Sequence, residues 1–446
     1  MIFTDKNFLV LGIAKSGISS AKLLLSQNAN VYFYDDFDDE NVRKAREELK
    51  AEGCVEISKN DIETEIKKIY CVIISPGVAI DSYCAGLARK NGIRIIGEIE
   101  LGHYFNHSVF LAITGTNGKT TTCSMLHAIL LQSGKNSELI GNVGTPVTAK
   151  TDKLIAGNLN VIEVSSFQLE STFLFCPHVA ALLNITSDHL NRHYSMENYI
   201  FVKSRIFNNM RESEYAVLNN DCKNVISVAD KIKAKKIFFS AKGEVNGAYV
   251  NEGSIYYMKE YIMKVEELSL KESYNIENAL AAVCFAKLLN IDNNFIAEAL
   301  GNFKGVKHRM QFVKEADGVK FYNDSKGTNI DSTLKAAQSL TEPTVLLLGG
   351  SEKGYDYDEL FEKLKLTSAC GAVLYGETKL KMAESAKKAN FDNIIVCNTF
   401  ENSIKIAKTI CPKNGNVLLS PASASFDMFK NYEERGDRFV EIVEGF

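Results

Sequence analysis

Seven consecutive residues, Thr114-Gly115-Thr116-Asn117-Gly118-Lys119-Thr120, have types and spacing suited to holding a phosphate chain. Glycines let backbone N–H groups approach phosphate oxygens, the start of the following helix adds a favourable dipole, and Lys119 adds a point charge. Thr120 supplies a hydroxyl of the kind that ligates Mg²⁺ at such loops. Only two residues separate Gly115 from Gly118, so the loop is a shortened relative of the usual phosphate loop. The bland alternative is a glycine-rich turn between strand and helix; Lys-Thr in phase at a helix start favours phosphate.

Two further strand ends carry polar chemistry. The run Val161–Val164 contains Glu163, and the run Ala180–Ile185 opens into Thr186-Ser187-Asp188-His189. A carboxylate and an imidazole at the same sheet edge as a phosphate loop make a Mg²⁺–nucleotide site, although a lone His beside an Asp is also a common surface pair. His189 can be pictured as a metal ligand or as a general base, and one role excludes the other. Lys203 is the least expected residue. At 100° per residue it falls on the apolar face of a helix through Glu197–Met210, between Tyr199 and Ile206, Phe207 and Met210. Its stem can snorkel to water, or the amine is buried and neutral, able to take up CO₂ as a carbamate.

Near the start, Gly12-Ile13-Ala14-Lys15-Ser16-Gly17 follows one apolar run and Asp35 ends the next. This approximates a dinucleotide fingerprint with alanine at the middle glycine, which points to NAD or to structural turn glycines.

The elements that must position these residues are short apolar runs alternating with amphipathic stretches: Phe8–Ile13, Val72–Ile74, Val109–Ile113, Val161–Val164, Ala180–Ile185, Thr344–Leu348 and Val417–Leu419. That is the α/β pattern of parallel sheets, whose strand ends share a ligand crevice. A helix is predicted from the phosphate loop to about Gln132, and another over Asn275–Leu289. At 446 residues the chain exceeds one core. Breaks near Gly97–Glu98 and Gly305 give three expected domains, 1–97, 98–305 and 306–446.

Composition narrows the function. A hydrophobic fraction of 46% and a charged fraction of 24% are those of a folded globular protein. A net charge of −4 provides no broad basic field, so no nucleic acid partner is expected. Ten scattered cysteines without a C-x-x-C pair argue against a zinc site or a disulfide framework. The opening Met-Ile-Phe-Thr-Asp-Lys has no signal-peptide pattern and no apolar run reaches a membrane span, so a cytoplasmic protein is expected.

Taken together, Gly115–Thr121, Glu163–Glu170 and Asn184–His193 resemble the G-T-N-G-K-T-T, E-x-S-S-F-Q-L-E and N-I-T-x-D-H-x-x-R-H segments of the Mur ligase family. The resemblance implies a Rossmann-like N-terminal domain, a central P-loop-type mononucleotide-binding domain and a Rossmann-like C-terminal domain. It also implies ATP and two Mg²⁺ ions, with Gly115, Thr116, Asn117, Gly118, Lys119, Thr120 and Thr121 at the phosphates. Glu163, His189 and a carbamylated Lys203 join Thr120 as metal ligands. Asn323–Asn329 and Leu419–Asp427 look like the signatures of the branch of the family that adds D-glutamate, and Leu346–Gly354 fits with them. By that resemblance Asp324 contacts ribose, Arg309 phosphate, and Asn275 and Asn278 lie near adenine. Thr328, Lys353, Ser425 and Phe426 hold D-glutamate, while Lys326 serves either ligand. The first domain takes the UDP part of UDP-N-acetylmuramoyl-L-alanine through Ser16, Asp35, Ser75 and Gly77, and Asn142 joins the substrate set. A monomer is expected. Departures are modest: Asn191, Tyr274 and Gln311 stand where the family commonly has Asp, His and Glu. The rivals are a folylpolyglutamate synthetase, an NAD-dependent dehydrogenase and a nucleotide-binding interaction protein without chemistry.

Overall fold

The computed structural model describes residues 1–352 and 354–446. Lys353 therefore lies outside the described residues. The chain divides into two compact units, 1–271 with 275–303, and 272–274 with 304–446.

The first unit holds two sheets. One comprises β1 (Asn7–Leu11), β2 (Asn30–Tyr34), β3 (Val55–Glu56), β4 (Cys71–Ile74) and β5 (Arg94–Gly97), all parallel, in the order β3-β2-β1-β4-β5. Phe8, Leu9, Val10, Val72 and Ile73 are all buried, as expected of a parallel sheet covered on both faces. The order reverses between β1 and β4, so the loops carrying Gly12 and Ser75 flank the crevice where such sheets take ligands.

The second sheet has nine strands: β6 (Val109–Thr114), β7 (Ser137–Gly141), β8 (Leu159–Glu163), β9 (Val179–Leu182), β10 (Tyr215–Asn219), β11 (Lys235–Ser240), β12 (Gly247–Asn251), β13 (Ser254–Tyr257) and β14 (Glu260–Lys264). Its order is β14-β13-β12-β11-β10-β9-β6-β8-β7, parallel from β7 to β12 and antiparallel over the last two pairings. Strand β6 lies between β8 and β9, which brings the phosphate loop, Glu163 and the segment after β9 to one edge.

The second unit is built on β15 (Gln311–Ala316), β16 (Val319–Asn323), β17 (Thr344–Gly349), β18 (Ala369–Tyr375), β19 (Ile394–Val396) and β20 (Asn416–Leu419), in the order β15-β16-β20-β17-β18-β19. All pairings are parallel except that of the edge strand β15. Because β20 inserts between β16 and β17, the loops at Asp324, Gly350 and Ser420 become neighbours.

Three expected elements end two or more residues short. Strand β1 stops at Leu11, where Gly12 turns with φ +83°. Strand β9 stops at Leu182, because Asn184 leaves the ladder to clamp the phosphate loop. The helix expected through Met210 is α-helical over Met196–Ser204 and tightens to a 3₁₀ turn over Arg205–Phe207, where Arg205 reaches the carbonyls of Leu169 and Thr172. The other two helices run Lys119–Gln132 and Ser273–Leu288. Among the described residues no helix is long and apolar enough to cross a membrane, and all ten cysteines are free.

Candidate functional site

One residue of the segment after β9 holds the phosphate loop at three points. Asn184 accepts the Asn117 N–H through Oδ1 at 2.8 Å, donates to the Asn117 carbonyl, and accepts the Thr116 N–H at its own carbonyl. Gly118 caps the helix with φ +83°, a conformation in which a side chain is strained, and a Cβ there would collide with Asn278 Oδ1. Asn278 also accepts from Thr122 Oγ1 at 3.2 Å and donates to Asn275 at 3.2 Å. The loop, Asn275 and Asn278 are thus brought together.

The Glu163 carboxylate is 1% exposed and sits at the start of that helix. Thr120 Oγ1 donates to Oε2 at 2.7 Å and Asn142 Nδ2 to Oε1 at 2.8 Å. Thr116 and Thr121 are buried, and the Thr121 hydroxyl has no hydrogen-bond partner. Lys119 Nζ folds back onto the carbonyls of Gly115 and Thr116 at 2.9 and 2.8 Å. The same Gly115 carbonyl accepts from Lys203 Nζ at 2.8 Å.

Lys203 is 1% exposed, so its stem does not snorkel to water. Burial depresses its pKa well below the ordinary value, and Lys119 lowers it further against the opposing pull of Asp188 and Glu163. Its Nζ also stands 4.8 Å from the Tyr199 ring centre. His189 adopts φ +54°, and its Nε2 is 3.5 Å from Asp188 Oδ2. Among the described residues no three His, Cys, Asp or Glu side chains converge as a metal-binding group. The donors that do gather are the Thr120 hydroxyl and the Glu163 carboxylate, hard oxygens that fit Mg²⁺ better than a soft metal.

The turn after β1 is a second cluster. Ser75 Oγ donates to the Gly12 carbonyl at 2.6 Å, and Ser16 Oγ reaches Ser75 Oγ at 3.4 Å. Asp35 accepts the N–H groups of Ile13 and Phe37 at 2.8 and 2.9 Å. Gly77 is exposed beside them.

In the second unit the Asp324 carboxylate is 2% exposed and accepts from Ser420 Oγ at 2.7 Å and from the Met310 N–H at 3.3 Å. Burial pushes its pKa up to about 6, against the pull of Arg309, these two bonds and Arg435. Lys326 Nζ lies 5.2 Å from the Tyr432 ring centre, and the Thr328 N–H bonds the Lys326 carbonyl. Ser425 is buried, while Phe426 is 74% exposed.

Family models match three stretches: "Mur ligase MurD-like, N-terminal domain" over residues 6–97, "Mur ligase middle domain" over 113–286, and "Mur ligase, glutamate ligase domain" over 308–423. Curated relatives named UDP-N-acetylmuramoylalanine--D-glutamate ligase include one from Caldanaerobacter subterraneus subsp. tengcongensis, 40% identical, and one from Clostridioides difficile, 39% identical. Each alignment covers 99% of both chains. The chain belongs to the Mur ligase family. Solved Mur ligases share the fold at lower identity: MurF from Acinetobacter baumannii has a TM-score of 0.65 at 18% identity, covering 97% of this chain and 93% of that one. The Thermotoga maritima UDP-N-acetylmuramate-alanine ligase MurC has 0.61 at 19%, covering 99% of both.

Some residues that build the sites of this Mur ligase went unnoticed in the sequence. Arg435 is fully buried and bonds Ser325 through both Oγ and the carbonyl, together with the carbonyls of Ser423 and Ala424. It ties the loops after β16 and β20 together from more than a hundred residues downstream of the first. Glu170, Arg192 and His193 form another, largely buried group between the segments after β8 and β9. His193 is held down to about 4, first by burial and then by His189, Lys203 and Arg192. Its signal was present in the D-H-x-x-R-H segment, whereas nothing near Arg435 in sequence marks it.

Proposed function

We propose that the protein joins D-glutamate to UDP-N-acetylmuramoyl-L-alanine, converting ATP to ADP and phosphate through an acyl phosphate, in the cytoplasm and as a monomer. The observation that carries this reading is full-length likeness, at about 40% identity, to relatives bearing that ligase name. The domains are assigned to 1–97 for the UDP substrate, 98–305 for ATP and 306–446 for the amino acid.

In the first step the alanyl carboxylate attacks the γ-phosphorus, and the bond to the ADP oxygen breaks. Lys119 swings from its own loop carbonyls to the phosphate oxygens, and the loop N–H groups hold the chain in line. Mg²⁺, when bound, neutralises the phosphate oxygens, and Thr120, Glu163, His189 and Lys203 are the residues assigned to hold two ions. Lys203 does so as a carbamate: its neutral amine adds to CO₂ and releases one proton, turning a cation into an anionic ligand. The Thr120–Glu163 bond and the depressed Lys203 pKa support that assignment.

In the second step the D-glutamate amine attacks the acyl carbon, loses a proton, and phosphate leaves. Lys326, Thr328, Ser425 and Phe426 are assigned to the amino acid, with Lys353. Asn275, Asn278, Arg309 and Asp324 are assigned to the nucleotide, and Ser16, Asp35, Ser75, Gly77 and Asn142 to the UDP substrate. Phosphate release measured with ATP, UDP-N-acetylmuramoyl-L-alanine and a panel of amino acids tests the specificity. Turnover with D-glutamate alone is expected, and turnover with a different amino acid would overturn it.

A further inference from the structure

The loop after β4 and the segment Asp188–Ser195 meet at two points. Arg192 Nη2 donates to the Val78 carbonyl at 2.9 Å, and the Tyr194 hydroxyl donates to Asp81. Val78 follows Ser75 by three residues, and its side chain rests on the turn after β1: a Cβ added at Gly12 would come within 2.6 Å of Val78 Cγ2. One contact therefore joins Arg192 to both loops of the first crevice.

On its other side Arg192 is fixed twice. Nε and Nη2 reach Glu170 at 3.3 and 2.6 Å, a two-point pairing in which both side chains are largely buried. Its guanidinium carbon lies 4.7 Å from the Phe167 ring centre. Phe167 in turn meets the His189 ring edge-on, with centroids 4.9 Å apart. The path Gly12–Val78–Arg192–Phe167–His189 is continuous.

The short helix Leu190–His193 in this segment is bracketed by His189 at φ +54° and Tyr194 at φ +65°. Side chains of this size persist in that region only where surrounding contacts impose it. The contacts with Val78, Glu170, Phe167 and Asp81 are among those that impose it.

We propose that Arg192 is a positioning residue that couples occupancy of the first crevice to the placement of His189 beside the phosphate loop. This rests on the reading that the first crevice takes the UDP substrate and the loop takes ATP. Arg192 acts through the Val78 carbonyl on one side and the Phe167 ring on the other. A merely structural clamp would change stability or each affinity alone; a relay changes how one affinity depends on the other ligand.

The test is calorimetric titration of UDP-N-acetylmuramoyl-L-alanine with and without saturating Mg²⁺ and a non-hydrolysable ATP analogue. In the wild-type protein the nucleotide is expected to tighten substrate binding at least ~5-fold. In Arg192→Gln the ratio is expected to fall below about twofold. Because that change leaves Glu170 buried without its counter-charge, Arg192→Gln/Glu170→Gln is the companion variant that keeps the fold. Phe167→Leu breaks the same path further along, so adding it to Arg192→Gln is expected to lower the ratio no further. Wild-type coupling retained in both Arg192 variants, or absent from the wild-type protein, overturns the relay alone. Failure of the wild-type protein to bind either ligand overturns the proposed function and the relay with it.

Discussion

The turn after β1 and the turn after β6 are built alike, yet they present opposite charge. Each follows a buried parallel strand and leads into a helix with no side-chain cap, Lys15–Ser26 in one and Lys119–Gln132 in the other. Each contains a glycine at φ +83°, Gly12 or Gly118. At the first, the Asp35 carboxylate takes the Ile13 N–H and Lys15 points to solvent. At the second, the Gly115 carbonyl accepts from two lysines, one of them buried. Shape alone therefore does not select a phosphate chain. The first turn suits hydroxyl and amide donors of a nucleoside, and the second suits the charge of a triphosphate.

Exchanging the charge at each turn should break that contrast most sharply. Lys119→Ala is expected to lower kcat about 10³-fold, near the upper end for losing one transition-state donor, while leaving UDP-substrate affinity nearly unchanged. Asp35→Asn should do the reverse, raising the KM for the UDP substrate roughly tenfold at nearly constant kcat. Steady-state kinetics on both variants checks the pair; equal effects on the same parameter would remove the distinction.

A smaller effect concerns the link between the two regions. Ser19, on the helix after the first turn, contacts Thr148 Oγ1 at 2.7 Å, and Thr148 donates through N–H and Oγ1 to Glu98 at 2.7 and 2.9 Å. The other Glu98 oxygen is buried without a partner. Burial raises its pKa from 4.5 to about 7, against the pull of the Thr148 and Val147 bonds. The folded state therefore binds the proton more tightly than the unfolded state. The resulting stability is fully present below about pH 4.5 and is lost as pH rises through about 7, at most roughly 3 kcal/mol. With denaturant midpoints measured at pH 5.5 and 8, the stability difference between the wild-type protein and Glu98→Gln is expected to shift against the wild type as pH rises; a difference independent of pH would remove the Glu98 contribution.

The parallel strands were legible because burial on both faces writes them as continuous apolar runs, and the motifs sat at their ends. The antiparallel hairpin β12–β14 was not foreseen. Its short strands mix buried and exposed residues, and only β13 alternates strictly, so the signal resembles loop. Lys203 could be singled out because one cation interrupts an apolar helical face, and its burial agrees with that periodicity. Arg435 could not, since its value arises only when β20 inserts beside β16 and brings two distant loops to its guanidinium. Asn184 lay in plain view within a quoted motif, but its clamp on Asn117 depends on β9 ending two residues before it.

The central claim is that the second turn drives phosphoryl transfer onto a carboxylate so that an amine can displace the phosphate. It is tested most directly with UDP-N-acetylmuramoyl-L-alanine labelled with ¹⁸O in the alanyl carboxylate, incubated with ATP and D-glutamate. With both carboxylate oxygens labelled, each phosphate released is expected to carry one ¹⁸O and the carbonyl of the new amide to keep the other. Unlabelled phosphate, with amide formed all the same, would contradict it.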